Sequence, residues 1–191
     1  NVPIRGGAVD PNRLLSRLGA ERSLRALNKG WSEAHFAEAL RDLELLVEAA
    51  GVADVSTAFS VGTLDEDAWR ASEPGTPHPR ARIDAVRALN EAGIPCGVLM
   101  APILPGITDD PRQLREVVAA AIDAGATHVS PILLHLRPGV REEFLPWLAD
   151  AYPDLVDRYE DLYRKPYAPS AERDALGRRV AGLIRSLGGV R

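Results

Sequence analysis

Side chains able to do chemistry are sparse in this 191-residue chain, and the informative ones gather in three short stretches. The first holds Ser60, Gly62 and Thr63, then the run Glu73-Pro-Gly-Thr-Pro-His-Pro-Arg80, which offers a hydroxyl, a carboxylate, an imidazole and a guanidinium. The second runs from Pro102 to Asp110, and the third offers His135 and Arg137. Ser60, Glu73 and Arg80 could together take a small phosphorylated or carboxylated ligand, although a Glu73–Arg80 ion pair pinning the loop is an equally simple reading. No GxSxG, P-loop, HExxH or GxGxxG is present. His128 and His135 are seven apart on one expected strand, which puts them on opposite faces and argues against a shared metal. His78, in a Pro-rich loop, and His35, on an amphipathic pattern, are expected at the surface. The single cysteine, Cys96, excludes an internal disulfide and any multi-cysteine metal site, and it reads as a small apolar core group. No metal ligands are assigned.

Composition narrows the function classes. An apolar fraction of 46% with 26% charged residues suits one globular domain. A net charge of -4 and a pI near 5.6 give no general attraction to polyanions, so nucleic acid is not supported as a partner. The arginines of Arg137–Arg141 and Arg173–Arg185 are interleaved with acidic residues and read as solvated helix faces. The sequence carries no apolar run of the length a membrane span needs and no signal-peptide pattern, and it uses cysteine sparingly; a cytoplasmic location without membrane contact is expected. The chain begins at Asn1 and has its one methionine at Met100, which suggests a processed product or a fragment.

The elements that must position these residues follow from periodicity. Helical patterns cover Pro11–Leu27 and Ser32–Ala50, the second with Phe36, Leu40, Leu43, Leu46 and Val47 on one face and Gly51 as its stop. Val55–Val61 alternates as a strand with a small, partly polar second face of Ser56, Ala58 and Ser60. A helix over Asp65–Ala71, capped by Thr63 with Glu66 three residues on, and another over Arg80–Ala92, ended by Gly93, complete the first unit. The second unit is an almost continuously apolar strand, Cys96–Leu104, then a helix capped by Asp110 with Pro111 at its first position and buried Leu114, Val117, Val118, Ala121 and Ile122. A strand over His128–Leu136 and a helix through Trp147 make the third. Helices predicted over Pro153–Lys165 and Ser170–Leu187 form a tail with Val156, Tyr159, Leu162 and Tyr163 as a stripe. Strands joined by helical crossovers pair in parallel, so the expected fold class is α/β. Functional loops of such folds lie at the carboxyl ends of the strands, where all three chemical stretches fall.

Five phrases then carry a family resemblance: Ser60-Val-Gly-Thr-Leu-Asp65, Glu73-Pro-x-x-Pro-x-Pro-x-x-Arg82, Asn90-Glu-Ala-Gly-Ile-Pro95, Ala101-Pro-Ile-Leu-Pro-Gly106 and Leu133-Leu-His-Leu-Arg-Pro-Gly139. In order and spacing over residues 41–167 they resemble the radical SAM enzymes related to spore photoproduct lyase. The resemblance implies a partial, TIM-like βα barrel over residues 41–152, after an atypical helical segment 1–40 and before a helical tail 153–191. It implies S-adenosylmethionine and a [4Fe-4S] cluster as cofactors of the complete protein. Ser60 maps onto a cofactor contact, with Glu73 and Arg80 beside it, and Lys29-Gly30 resembles an element that precedes Arg41-Asp42-Leu43 in such proteins. The CxxxCxxC loop that would hold the cluster is absent from this sequence, so the chain is expected to be the cofactor-side, C-terminal portion of such a lyase-type enzyme, truncated or degenerate and unable to bind the cluster alone. Two alternatives stand beside it: a non-catalytic module that binds a partner chain or itself through the open barrel edge, and an unrelated barrel enzyme acting on a small anionic ligand.

Overall fold

A computed structural model describes residues 43–189. The predicted helix over 11–27, the start of the one over 32–50, the whole of segment 1–40 and Lys29 lie outside the described residues. Within them the order is α1 (Leu43–Ala50), β1 (Thr57–Ser60), α2 (Glu66–Ser72), α3 (Pro79–Glu91), β2 (Cys96–Ile103), α4 (Pro111–Asp123), β3 (Val129–Leu133), α5 (Val140–Ala151), a 3-10 turn (Pro153–Leu155), α6 (Val156–Leu162) and α7 (Ser170–Ser186). The three strands form one parallel sheet in the order β1-β2-β3, the α/β arrangement that the crossover lengths require. No described helix is long and apolar enough to cross a membrane.

Register explains the two faces of this sheet. Thr57 pairs with Cys96, and Phe59 with Val98 and through it Val129, so these side chains share one face. Cys96, Val98 and Met100 are fully buried there, under α3 and α4, whose inner residues Ile83, Val86, Leu89, Leu114, Val117, Val118 and Ala121 belong to the same core. Sequential right-handed crossovers place both helices on one side of the sheet. The opposite face carries Ser60, Leu99 and Ser130 in register, with Ala58, Ala101 and Ile132 next along their strands. Ala58 and Ser60 are exposed and the other four half-buried. The small second face expected of the first strand thus continues across the sheet.

The two crossover helices reuse one set of end signals. Each has a side-chain cap followed by proline at the first position, His78-Pro79 in α3 and Asp110-Pro111 in α4. Each ends in a left-handed glycine, Gly93 or Gly125, followed by a bond back into the helix: Ile94 N–H to Leu89 at 2.9 Å and Ala126 N–H to Ala121 at 3.0 Å. Asn90 then ties α3 to β2, its amide accepting from Cys96 N–H and donating to Cys96 O, both at 3.0 Å.

Several boundaries and roles differ from expectation. The first strand is shorter, at Thr57–Ser60, and the third stops at Leu133 because its continuation pairs instead with the tail, His135 bridging antiparallel to Tyr167. Asp65, not Thr63, caps α2, its carboxylate accepting from Ala68 N–H at 2.8 Å. Thr63 is buried and its hydroxyl is engaged elsewhere, accepting from Asp65 N–H and donating to Gln113. Val47 is exposed, whereas Leu43 and Leu46 pack against the core, so the buried stripe of α1 is narrower than its pattern suggests.

The tail stripe is realised more strongly than a surface helix would need. Tyr159 and Tyr163 are fully buried and stacked, with ring centroids 5.7 Å apart, and neither hydroxyl finds a partner. Burial pushes both phenols far above their ordinary value, and for Tyr159 the neighbouring Tyr163 and Asp109 add to the effect. The unfolded phenols lose their protons near pH 10 while the folded ones keep them, so stability falls as pH rises past about 10. Two of the four tyrosines should therefore yield phenolate absorbance only as the chain unfolds in alkali. Four phenolates appearing while native circular dichroism persists would contradict this burial.

Candidate functional site

All three chemical stretches reach the carboxyl ends of the strands, and the first is organised by a residue assigned no contact from sequence. Arg82 is 7% exposed, and its guanidinium makes four hydrogen bonds. Nε donates to Pro77 O at 2.8 Å and Nη1 to Ser60 O at 2.9 Å, while Nη2 donates to Glu73 Oε2 at 2.9 Å and to Thr76 Oγ1 at 2.6 Å. The planar five-donor fork is suited to such multiple capture. One side chain thereby fastens the end of β1 to the whole Pro-rich loop.

This overturns the Glu73–Arg80 ion pair. Glu73 pairs with Arg82, and Arg80 is exposed, contributing its backbone N–H to His78 Nδ1 at 3.2 Å. The reason is helical geometry: α3 starts at Pro79, so Arg80 and Arg82 point about 200° apart around the axis, and only the second turns back to the loop. His78 is half-buried rather than a free surface group. Nδ1 accepts from Arg80 N–H, so the ring proton sits on Nε2, which is 2.7 Å from Glu66 Oε2. That hydrogen bond is the main cause holding the Glu66 carboxyl below its ordinary value. Trp69 packs edge-on against the imidazole, with centroids 4.8 Å apart, and its indole N–H donates to Thr76.

The first and second loops are locked together. A Cβ added at Gly62 would stand 2.5 Å from Pro102 O, so the close approach of these two backbones requires glycine. Gln113 bridges them from α4: its carbonyl accepts from Thr63 Oγ1 at 3.1 Å and its amide donates to Ile107 O at 3.2 Å. The acids of the second loop serve the backbone, Asp109 accepting from Gly106 N–H and Asp110 from Arg112 N–H. The Arg112 amide is also the chief cause lowering the Asp110 carboxyl.

Ser60 is brought to the shared rim with its carbonyl held and its side chain on the open face, and Glu73 stands behind it through Arg82. Arg80 is not joined to them, and Lys29 lies outside the described residues. Cys96 opens β2 at the opposite end of the sheet, fully buried, with its thiol pushed up by burial. It has the inert environment expected of it. His135 and Arg137 flank an exposed ring, Tyr167, at the end of β3. Sequence reasoning missed Arg82, Gln113 and Thr76 as organisers. Polar residues between apolar helix positions, such as Arg82 beside Ile83, were the available signal.

The chain is 45% identical over 145 residues to the uncharacterized protein Rv2578c of Mycobacterium tuberculosis, and equally to its counterpart in Mycobacterium bovis, covering 75% of this chain and 43% of each relative. It is 32% identical over 108 residues to an uncharacterized protein of Acidianus two-tailed virus, covering 55% of this chain and 35% of that protein. The chain thus spans less than half the length of these curated relatives. No family model and no solved structure matches it.

Replacing Arg82 with Met should cost about 3 kcal/mol, because it leaves the Glu73 carboxylate and the Ser60 and Pro77 carbonyls without their donor. Urea unfolding of Arg82→Met, Glu73→Gln and the double variant measures the coupling. Additive losses would show that the pair does not act as a unit.

Proposed function

We propose that this sheet is the cofactor-side arc of a partial βα barrel of the radical S-adenosylmethionine class, and that its open face is the wall against which S-adenosylmethionine lies. The observation that supports the reading best is the difference between the faces. Helices cover Val98 and Met100, while Ala58, Ser60, Leu99, Ala101, Ser130 and Ile132 turn the other way and stay exposed or half-buried. A parallel sheet is ordinarily covered on both faces, and closing it toward a barrel gives the second face an enclosed space. The residues on this face fit a flat adenosyl group. Four of the six are alanine or serine, and the Ser60 and Ser130 hydroxyls can hydrogen-bond to it. The chemistry such a cofactor supplies when bound is hydrogen abstraction by its adenosyl carbon after one-electron reduction of the sulfonium.

The chain's own residues bind and orient in this reading. Arg82 and Glu73 fix the carbonyl of Ser60 so that its hydroxyl is presented at the rim, and Arg80, exposed on the first turn of α3, is free to meet an anionic group there. The contact between Gly62 and Pro102 keeps the first two loops in register. The iron–sulfur cluster, by contrast, does not fit the residues present. It needs three thiolates, the sequence has one cysteine, and no group of His, Cys, Asp or Glu among the described residues could hold a metal. The chain is therefore not competent for radical chemistry alone in this reading, and the lyase-type activity of a whole protein belongs to the proposal.

Backbone amide NMR tests it. Titrating the chain with millimolar S-adenosylmethionine should move the amides of Ser60–Thr63, Leu99–Pro105 and Ser130–Leu134, apart from the prolines, and leave the outer surfaces of α3 and α4 unmoved. Ser60→Phe should abolish the response. No response at those amides, or one confined to the outer helices, would sink the reading.

A further inference from the structure

We propose that His135 and Arg137, arranged around Tyr167 at the carboxyl end of β3, form with Arg173 of α7 a binding site for an oxyanion, the phosphate or carboxylate group of a small-molecule ligand. Alternation along the chain sets the direction of the first two side chains. Beyond Leu133 the chain stays extended far enough to bridge to Tyr167, with Leu134 and Leu136 buried, so His135 and Arg137 both turn to the side those leucines leave. The tail brings the other wall. Tyr167 stands edge-on to the imidazole with centroids 4.6 Å apart, and the Arg137 guanidinium carbon lies 5.4 Å from the centre of the tyrosine ring. The ring is 43% exposed, so the stack sits at an opening rather than in the core. Arg173, in the first turn of α7, is near enough for its charge to act on His135.

Among the described residues, neither the Arg137 nor the Arg173 guanidinium makes an ion pair, a state they share with Arg80, Arg115, Arg141, Arg158, Arg178, Arg179 and Arg185, and what sets Arg137 apart is its place over the Tyr167 ring beside His135. The carboxylate nearest Arg137 along the chain, Glu142, is engaged by Gly139 N–H, and Glu172 and Asp174 flank Arg173 in sequence. Two arginine charges beside a half-buried imidazole repel its protonated form: burial, then Arg137, then Arg173 hold His135 below its ordinary pKa. An oxyanion between them would relieve that repulsion and accept from both guanidinium groups, a recognition that arginine performs with paired N–H donors. Tyr167 gives Arg137 a cation–π platform that keeps its fork extended while unpaired. The site is assembled from the third strand and the tail only. It does not depend on the cofactor reading of the open face.

Proton NMR of the four histidines tests this, with His135 assigned by comparison with His135→Gln. At constant ionic strength set with chloride, adding inorganic phosphate should raise the His135 titration midpoint by about half a pH unit or more, and leave His78 and His128 unmoved. In the Arg137→Gln/Arg173→Gln variant the midpoint should already be higher without phosphate, and the phosphate response should be lost. His78 and His128 report whether that variant keeps its fold. A parallel titration with acetate separates the sources: a response to phosphate alone supports a phosphate ester as ligand, and a response to both admits a carboxylate. A His135 midpoint that phosphate leaves where chloride leaves it, or a response undiminished in the double variant, overturns the proposal.

Discussion

A single guanidinium sets the geometry of the upper sheet. Arg82 enters from α3, a helix otherwise anchored by Ile83, Val86 and Leu89 in the core, so apolar packing of that helix sets where the guanidinium stands. From there it reaches the last carbonyl of β1, two groups of the Pro-rich loop and the Glu73 carboxylate. With both partners largely out of water, each would be costly alone, and the pair is tolerable because four of the five guanidinium N–H groups find acceptors. The loop between α2 and α3 has no regular structure to hold it. Its order comes from Arg82 and from Thr76, which accepts from Trp69 and Arg82 and donates to the Glu73 backbone.

Parts of this were legible in the sequence and parts were not, for physical reasons. Three parallel strands could be read because buried strands are apolar runs and the Asp110-Pro111 start and the glycine stops have local chemistry. The small second face of β1 was likewise plain in Ser56, Ala58 and Ser60. Curvature of the sheet is another matter, since it is a property of strand packing that no side-chain alternation encodes. Partner choice was the main failure. Glu73 faces two arginines two residues apart, and only the helix start at Pro79 decides between them. Thr63 offered a hydroxyl before a helix and was read as its cap, yet a buried hydroxyl facing Gln113 on a distant helix competes for it, and Asp65 takes the cap. Those outcomes are tertiary.

The sheet is also polarised along its strands. At the amino end of β2, Asn90 holds the backbone of Cys96, and His128 covers Gly97 so closely that a Cβ there would overlap the imidazole. Burial disfavours the Cys96 thiolate at that end. At the carboxyl end the backbones of the first two loops meet at Gly62 and Pro102 without side chains between them, which leaves the rim to those few groups that project past it.

An elimination of polar groups at that rim narrows what a ligand can meet. Glu73, Thr76 and Arg82 satisfy one another; Thr63 and Gln113 satisfy each other; Asp109 and Asp110 satisfy backbone N–H groups; His78 faces Glu66. Groups already paired in this way would have to give up a bond to take a ligand, and each exchange recovers little. The side chains that remain include the Ser60 hydroxyl, the exposed Arg80, His135 and Arg137 beside Tyr167, and Arg158 and Glu172, which line a hollow next to Pro105, Asp109 and Leu133. Of these, Glu172 is a carboxylate, and it belongs to the hollow rather than to the groups around Ser60 and Tyr167. A ligand held beside Ser60 or Tyr167 meets hydroxyl, imidazole and guanidinium groups, a combination that favours electron-rich oxygen over cations. The chain's overall acidity does not alter that preference, because the net charge of -4 is distributed over the surface while recognition acts within a few ångströms, well inside the screening length at ordinary salt.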